Sequence, residues 1–250
     1  MSLDVEIDGR VATLTLNRPE RRNAINDALL DDIARFFSAP PEGVRVAILT
    51  GAGDHFCAGL DLAEQADRDP GEAMAHSRMW HEKLQKMRFG DLPVVTAMRG
   101  AVMGGGLEVA SAAHVRVAGP DAVFQLPEGQ RGFFVGGGAT VRVGRMIGAD
   151  RLTEMMLTGR RYGAEEGRQI GLCHYVADDP MAKARELAAH IASNAEMSNY
   201  FAIHGVAKIN DMSAEEGYFT EALCTAMAQT SPDAKEGFRA FLEKRAPNFG

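Results

Sequence analysis

Two glutamates in this chain sit against glycine-rich stretches, a placement that suits proton transfer. Glu108 follows Gly104-Gly105-Gly106-Leu107, and the segment from Val109 to Ala113 has no turn residues and can start a helix. Glycine lets the backbone bend sharply and come close to a ligand. The first N–H groups of a helix lack intrahelical partners and carry partial positive charge, which suits an anionic oxygen. Glu108 then falls in the first turn among apolar and small neighbours, where burial raises a carboxyl pKa. Glu128 follows Pro127, ahead of a second glycine cluster, Gly136-Gly137-Gly138. Paired acids in a dry site move protons on and off carbon and water. A further turn, Ala58-Gly59-Leu60, could set a backbone N–H beside one from Gly104-Gly105-Gly106, and two N–H groups on one carbonyl oxygen make an oxyanion hole. Spacing alone does not bring these parts together. It reads Glu128 as the cap of a surface turn and leaves Glu108 open to pairing with an arginine.

The elements that must position these residues alternate. Val11 to Leu16, Val44 to Thr50, Pro93 to Met98, His114 to Ala118, Ala122 to Leu126 and Leu172 to Val176 read as strands. Helices are expected from Asp27 to Phe37 behind an Asn26 cap, from Glu72 to Met87, and around 139–146, 149–157 and 164–169. Residues 63–70 read as a polar loop, and from Pro180 onward the pattern is helical. This is an α/β chain with an all-α tail.

Composition excludes several classes. The chain has 250 residues, 46% hydrophobic and 24% charged, with a net charge of −7. That balance argues against a general nucleic-acid or membrane binder. No uncharged run is long enough to span a bilayer, and the start lacks a secretory h-region. Three cysteines without CxxC spacing suit a reduced, cytoplasmic setting. The histidines show no metal-ligand cluster, and GxSxG, Walker A and GxGxxG are all missing. Neither a metal nor a resident cofactor is expected.

His55-Phe56-Cys57-Ala58-Gly59-Leu60-Asp61-Leu62, followed by Gly104-Gly105-Gly106-Leu107-Glu108, closely resembles the crotonase (enoyl-CoA hydratase/isomerase) superfamily. Leu16 to Ala24, Met156 to Arg160 and the ending Phe241 to Phe249 carry the resemblance along the whole chain. It implies a crotonase-like spiral of repeated ββα units, with a core over 1–195. A helical region over 196–250 would serve oligomerisation and CoA contact, in a homotrimer or a hexamer. Leu60 and Gly105 match the oxyanion-hole positions, and Glu108 and Glu128 match the two catalytic acids of the hydratase branch. Glu108 would help deprotonate the attacking water, and Glu128 would hold that water and protonate C2. Arg21, Arg22, Ala58, Asp61, Phe241 and Lys244 are the implied CoA contacts. Met74, Trp80, Phe133 and Phe134 are expected in the acyl pocket. The implied activity is hydration of a 2-enoyl-CoA, which itself carries the coenzyme A. Isomerisation, or hydration of an aromatic acyl-CoA, is the alternative. An RNA-binding member would need a basic helix face, whereas Asp27, Asp31 and Asp32 make the first helix acidic.

Overall fold

The structure is a computed structural model that describes residues 2–64 and 67–249. Residues 3–8 form β1 (Leu3–Asp8), antiparallel to β2 (Val11–Leu16), which alternates buried Ala12, Leu14 and Leu16 with half-buried neighbours. β1 was not expected, because the acids Asp4, Glu6 and Asp8 mask its alternation with Leu3, Val5 and Ile7. Asn26 caps α1 (Asp27–Ser38) by accepting from the Leu29 N–H at 3.0 Å. β3 (Val46–Gly51) follows, then α2 (Pro70–Arg88), opened by an Asp69–Glu72 capping box and Pro70. Of the expected loop, residues 65 and 66 lie outside the described residues, and Leu62–Glu64 make one 3₁₀ turn.

The next two turns of chain repeat one plan. β4 (Val94–Met98), β5 (Ala101–Met103) and α3 (Gly105–Ala112) are followed by β6 (Val115–Ala118), β7 (Val123–Gln125) and α4 (Ala139–Ile147). Then come α5 (Ala149–Thr158), β8 (Tyr162–Gly163), α6 (Ala164–Ile170) and β9 (Tyr175–Val176). The expected strand from Leu172 shortens to β9, because the carbonyls of Gly171 and Leu172 are taken by the Arg116 side chain instead of a ladder. One sheet runs β1-β2-β3-β4-β6-β9, parallel from β2 onward, and a smaller one runs β5-β7-β8. β3 and β4 are buried almost throughout, as parallel strands covered on both faces must be.

The first two turns of the spiral have no named inner strand, yet single bridges stand in its place. Ile25 bridges Leu60 and Cys57 bridges Val102, both parallel, ahead of β5 pairing with β7. The inner edge is thus continuous from Ile25 to Gln125, and this ββα repetition is the crotonase-type spiral.

The chain divides into two compact units, 1–188 and 189–250. The division falls inside α7 (Pro180–Ala192), ahead of the expected 195/196, because the buried Ala184 and Ala188 belong to the first unit. The second unit holds α8 (Glu196–Ile209), α9 (Ala214–Gln229) and α10 (Pro232–Leu242). Among the described residues, no helix is long and apolar enough to cross a membrane.

Candidate active site

Three successive turns of the spiral set their inner-strand ends side by side. Cys57 N–H donates to Ala101 O at 2.9 Å, Met103 N–H to Cys57 O at 3.1 Å, and Gly104 N–H to Gln125 O at 2.9 Å. Leu60, Gly105 and Glu128 each lie at most three residues beyond these bonds. The approach is close because Gly106 has no side chain: a methyl there would lie 2.4 Å from Cys57 O. Gly104 turns the chain into α3 at φ +52, a left-handed geometry that glycine tolerates.

The Leu60 N–H is left over by its bridge, since Ile25 uses Gly59 O and Asp61 N–H instead. The Gly105 N–H opens α3 and has no intrahelical acceptor. A methyl on Gly105 would stand 3.3 Å from Leu60 N, so the two donors meet across one gap. Both residues line a cavity of about 500 Å³. Two converging N–H groups on a cavity wall can hold a single oxygen that gains charge.

Glu108 and Glu128 line the same cavity and are only 4% and 5% exposed. Glu128 is therefore no surface cap: it opens a 3₁₀ turn, Glu128–Arg131, and is itself buried. Burial is the largest influence on both acids and raises both pKa values. Glu128 rises from 4.5 to about 7, helped by the neighbouring Glu108 charge and opposed by its own backbone N–H and Arg131. Its Oε2 is buried with no partner among the described residues. Glu108 differs, because its Oε1 accepts from Gly137 N–H at 2.7 Å and Ala139 N–H at 3.1 Å. Those bonds and the Arg142 charge oppose the rise and favour the ionised form. Burial thus pushes both carboxyls toward the protonated form, and the two N–H bonds and the Arg142 charge restrain that push at Glu108.

The Glu108 donors come from the second glycine cluster, whose role spacing did not disclose. Arg142 fastens that cluster to α3, donating to Glu108 O at 3.0 Å, Gly137 O at 2.5 Å and Ser111 Oγ at 2.9 Å. Ser77 Oγ holds Gly136 O at 2.7 Å from the α2 side. The missed signal was the arginine four residues past Gly138, one helical turn into α4. Arg142→Met should lower stability by at least about 2 kcal/mol, because buried carbonyls lose a charged donor. Urea unfolding checks this, and a wild-type midpoint in the variant would show that the clamp is dispensable.

The family model described as Enoyl-CoA hydratase/isomerase matches residues 6–250. The chain belongs to that family. The enoyl-CoA hydratase EchA19 of Mycobacterium tuberculosis is 32% identical, covering 98% of this chain and 95% of its own. The (E)-benzylidenesuccinyl-CoA hydratase of Thauera aromatica is 33% identical, over 100% and 99%. A solved structure from Rhodopseudomonas palustris, assigned as an enoyl-CoA hydratase, superposes with TM-score 0.95 at 42% identity, over 97% and 95%.

The other expected residues of this enoyl-CoA hydratase/isomerase family member are placed as follows. Ala58 N–H donates to Arg22 O at 2.9 Å, which gathers Arg21, Arg22, Ala58 and Asp61 into one neighbourhood. Asp61 is buried, and its oxygens accept from Arg18 at 2.8 Å and from the Ala63 N–H at 3.2 Å. It holds the loop, with its charge paired to Arg18. Phe241 and Lys244 belong to the second unit, where Phe241 lies in the last turn of α10 at 82% exposure. Trp80, Phe133 and Phe134 line the cavity, as do Leu62 and Val135. Met74 does not. Ala73, His76, Ser77 and Trp80 share the cavity face of α2, and Met74 is turned off that face and 62% exposed. Among the described residues, no group of three His, Cys, Asp or Glu is placed to hold a metal.

Proposed function

We propose that this family member hydrates the 2,3 double bond of a 2-enoyl-CoA thioester. The observation that carries this is the pair of buried carboxylates sharing one cavity with two unspent backbone N–H groups. The thioester oxygen would accept from Leu60 and Gly105, and these fixed dipoles would hold the charge that grows on it as the enolate forms. Glu108, anchored by two N–H bonds that oppose its raised pKa, would take a proton from the water attacking C3. Glu128, inclined to stay protonated, would hold that water and deliver the proton to C2. The two acids titrate as a pair, so an observed pKa belongs to both. Isomerisation needs only one acid to carry a proton between C4 and C2, and here both acids reach the cavity.

Hydration of an aromatic acyl group is the second reading. It draws on Trp80, Phe133 and Phe134 in the wall, and on a relative named for a benzylidenesuccinyl thioester. The exposed Tyr218, Phe219, Phe238 and Leu242 of the second unit support a homotrimer or hexamer, with Phe241 and Lys244 offered to CoA. A cytoplasmic setting rests on the three free cysteines.

The deciding measurement is a panel of 2-enoyl- and 3-enoyl-CoA thioesters, aliphatic and aromatic, followed by thioester absorbance and product mass. A gain of one water on the 2-enoyl compounds is expected. Faster conversion of 3-enoyl-CoA without water gain would replace hydration by isomerisation.

A further inference from the structure

We propose that the cavity has a carboxylate subsite formed by Arg68 and His76, so that the substrate is a 2-enoyl-CoA whose acyl chain ends in a carboxylate. The proposal rests on the hydratase reading of the same cavity. Apart from Ser77 and the two glutamates, much of the wall is apolar, with Leu60, Trp80, Val135, Phe133 and Phe134. Arg68 and His76 break that pattern while lining the same space, with side chains 23% and 16% exposed. Binding cavities use a few placed polar groups on an apolar wall to orient a ligand, and a guanidinium matches a carboxylate.

The position of the pair sets where that carboxylate lies. Trp80 is next to the N–H pair, its ring 3.2 Å from where a Gly105 methyl would be. His76 is four residues earlier on α2, about 6 Å along the axis, and Arg68 precedes the helix. The pair thus lies about one helical turn along α2 from the N–H pair.

Charge supports the same direction. Among the lining residues Arg68 carries positive charge, whereas the Gly105 end holds the carboxyls of Glu108 and Glu128, so an acyl carboxylate is drawn to the Arg68 end. Asp27, which does not line the cavity, accepts from His76 Nε2 at 2.8 Å and faces Arg68 Nη2 at 4.0 Å. It thereby steadies both side chains. A guanidinium carries five N–H donors and can hold a second carboxylate beside the first.

The test compares kcat/KM for a six-carbon 2-enoyl-CoA ending in methyl with that for its analogue ending in carboxylate. Wild type should favour the carboxylate by at least about 10-fold, and Arg68→Gln should lower that ratio by about 10- to 100-fold, the scale of a charge-assisted hydrogen bond. His76→Gln should lower it less. No preference in the wild type overturns the subsite. So does an equal loss on both thioesters in Arg68→Gln, which would assign Arg68 to the CoA phosphates. If neither thioester gains water, the hydratase reading fails, and calorimetry decides the subsite separately. Saturated six-carbon thioesters with methyl or carboxylate ends are then compared, with CoA as reference. Tighter binding of the carboxylate form, lost in Arg68→Gln, supports the subsite, and equal binding overturns it.

Discussion

Glu108→Gln and Glu128→Gln should each lower kcat for 2-enoyl-CoA hydration by at least about 10²-fold, the usual scale of acid–base assistance. Glutamine keeps the size of the side chain, so thioester binding should change little. The two variants should differ in how they respond to pH. Glu128 has its pKa raised to about 7, and as the acid it must carry a proton. Wild-type hydration should therefore fall as pH rises through about 7, and Glu128→Gln should lose that limb. Stability follows the same sign. A carboxyl raised from 4.5 to about 7 binds its proton more tightly in the folded chain than in the unfolded one. Its stabilisation is complete below about 4.5 and is lost as pH rises through about 7. Glu128→Gln should consequently raise Tm at pH 8 by about 2–6 °C while removing activity. Stopped-flow absorbance and melting curves from about pH 4 to about pH 9, a range that spans both 4.5 and about 7, read both effects. A silent Glu108→Gln would count most heavily against hydration.

Gly105→Ala should cost about 10²-fold in kcat/KM without unfolding the protein, the scale of one lost oxyanion donor. The new methyl would lie 3.3 Å from Leu60 N and 3.2 Å from the Trp80 ring, inside the gap meant for the thioester oxygen. These contacts are tight, so overpacking should lower stability by about 1–3 kcal/mol while the fold is kept. Leu60→Pro is the companion variant. It removes the other donor, and the Ile25 bridge loses no bond, because that bridge runs through Gly59 O and Asp61 N–H. Wild-type rates in a folded Gly105→Ala would place the thioester oxygen elsewhere.

Periodicity and punctuation made most of the frame legible. Asn26 caps α1 where its position before an apolar helical face says it should, and the β-branched runs at Val11, Val46, Val94 and Val115 are strands. Glycine clusters pointed to close backbone approaches at Leu60 and Gly105, since only there can chain meet chain without a side chain between. β1 escaped notice because acids occupy alternate positions of an edge strand whose outer face meets water. Met74 was placed in the pocket by residue type, although helical rotation carries it off the face that Ala73, His76 and Trp80 share.

The sequence by itself determined the residue types and the local geometry: which acids stand beside glycine turns, where helices start, and the family to which the pattern belongs. Local backbone preference acts over a few residues, so these features need no distant partner. Tertiary structure decided what the acids are. Glu128 becomes a buried acid with its pKa near 7 only because three turns of the spiral set Cys57, Val102 and Gln125 in one parallel inner edge. The upward push of burial on Glu108 is opposed by N–H bonds that exist because Arg142 ties the Gly137 loop across α3. Desolvation and hydrogen bonding are properties of the surrounding atoms, and those atoms come from residues about thirty positions away in a chain whose folding pattern sets strand beside strand.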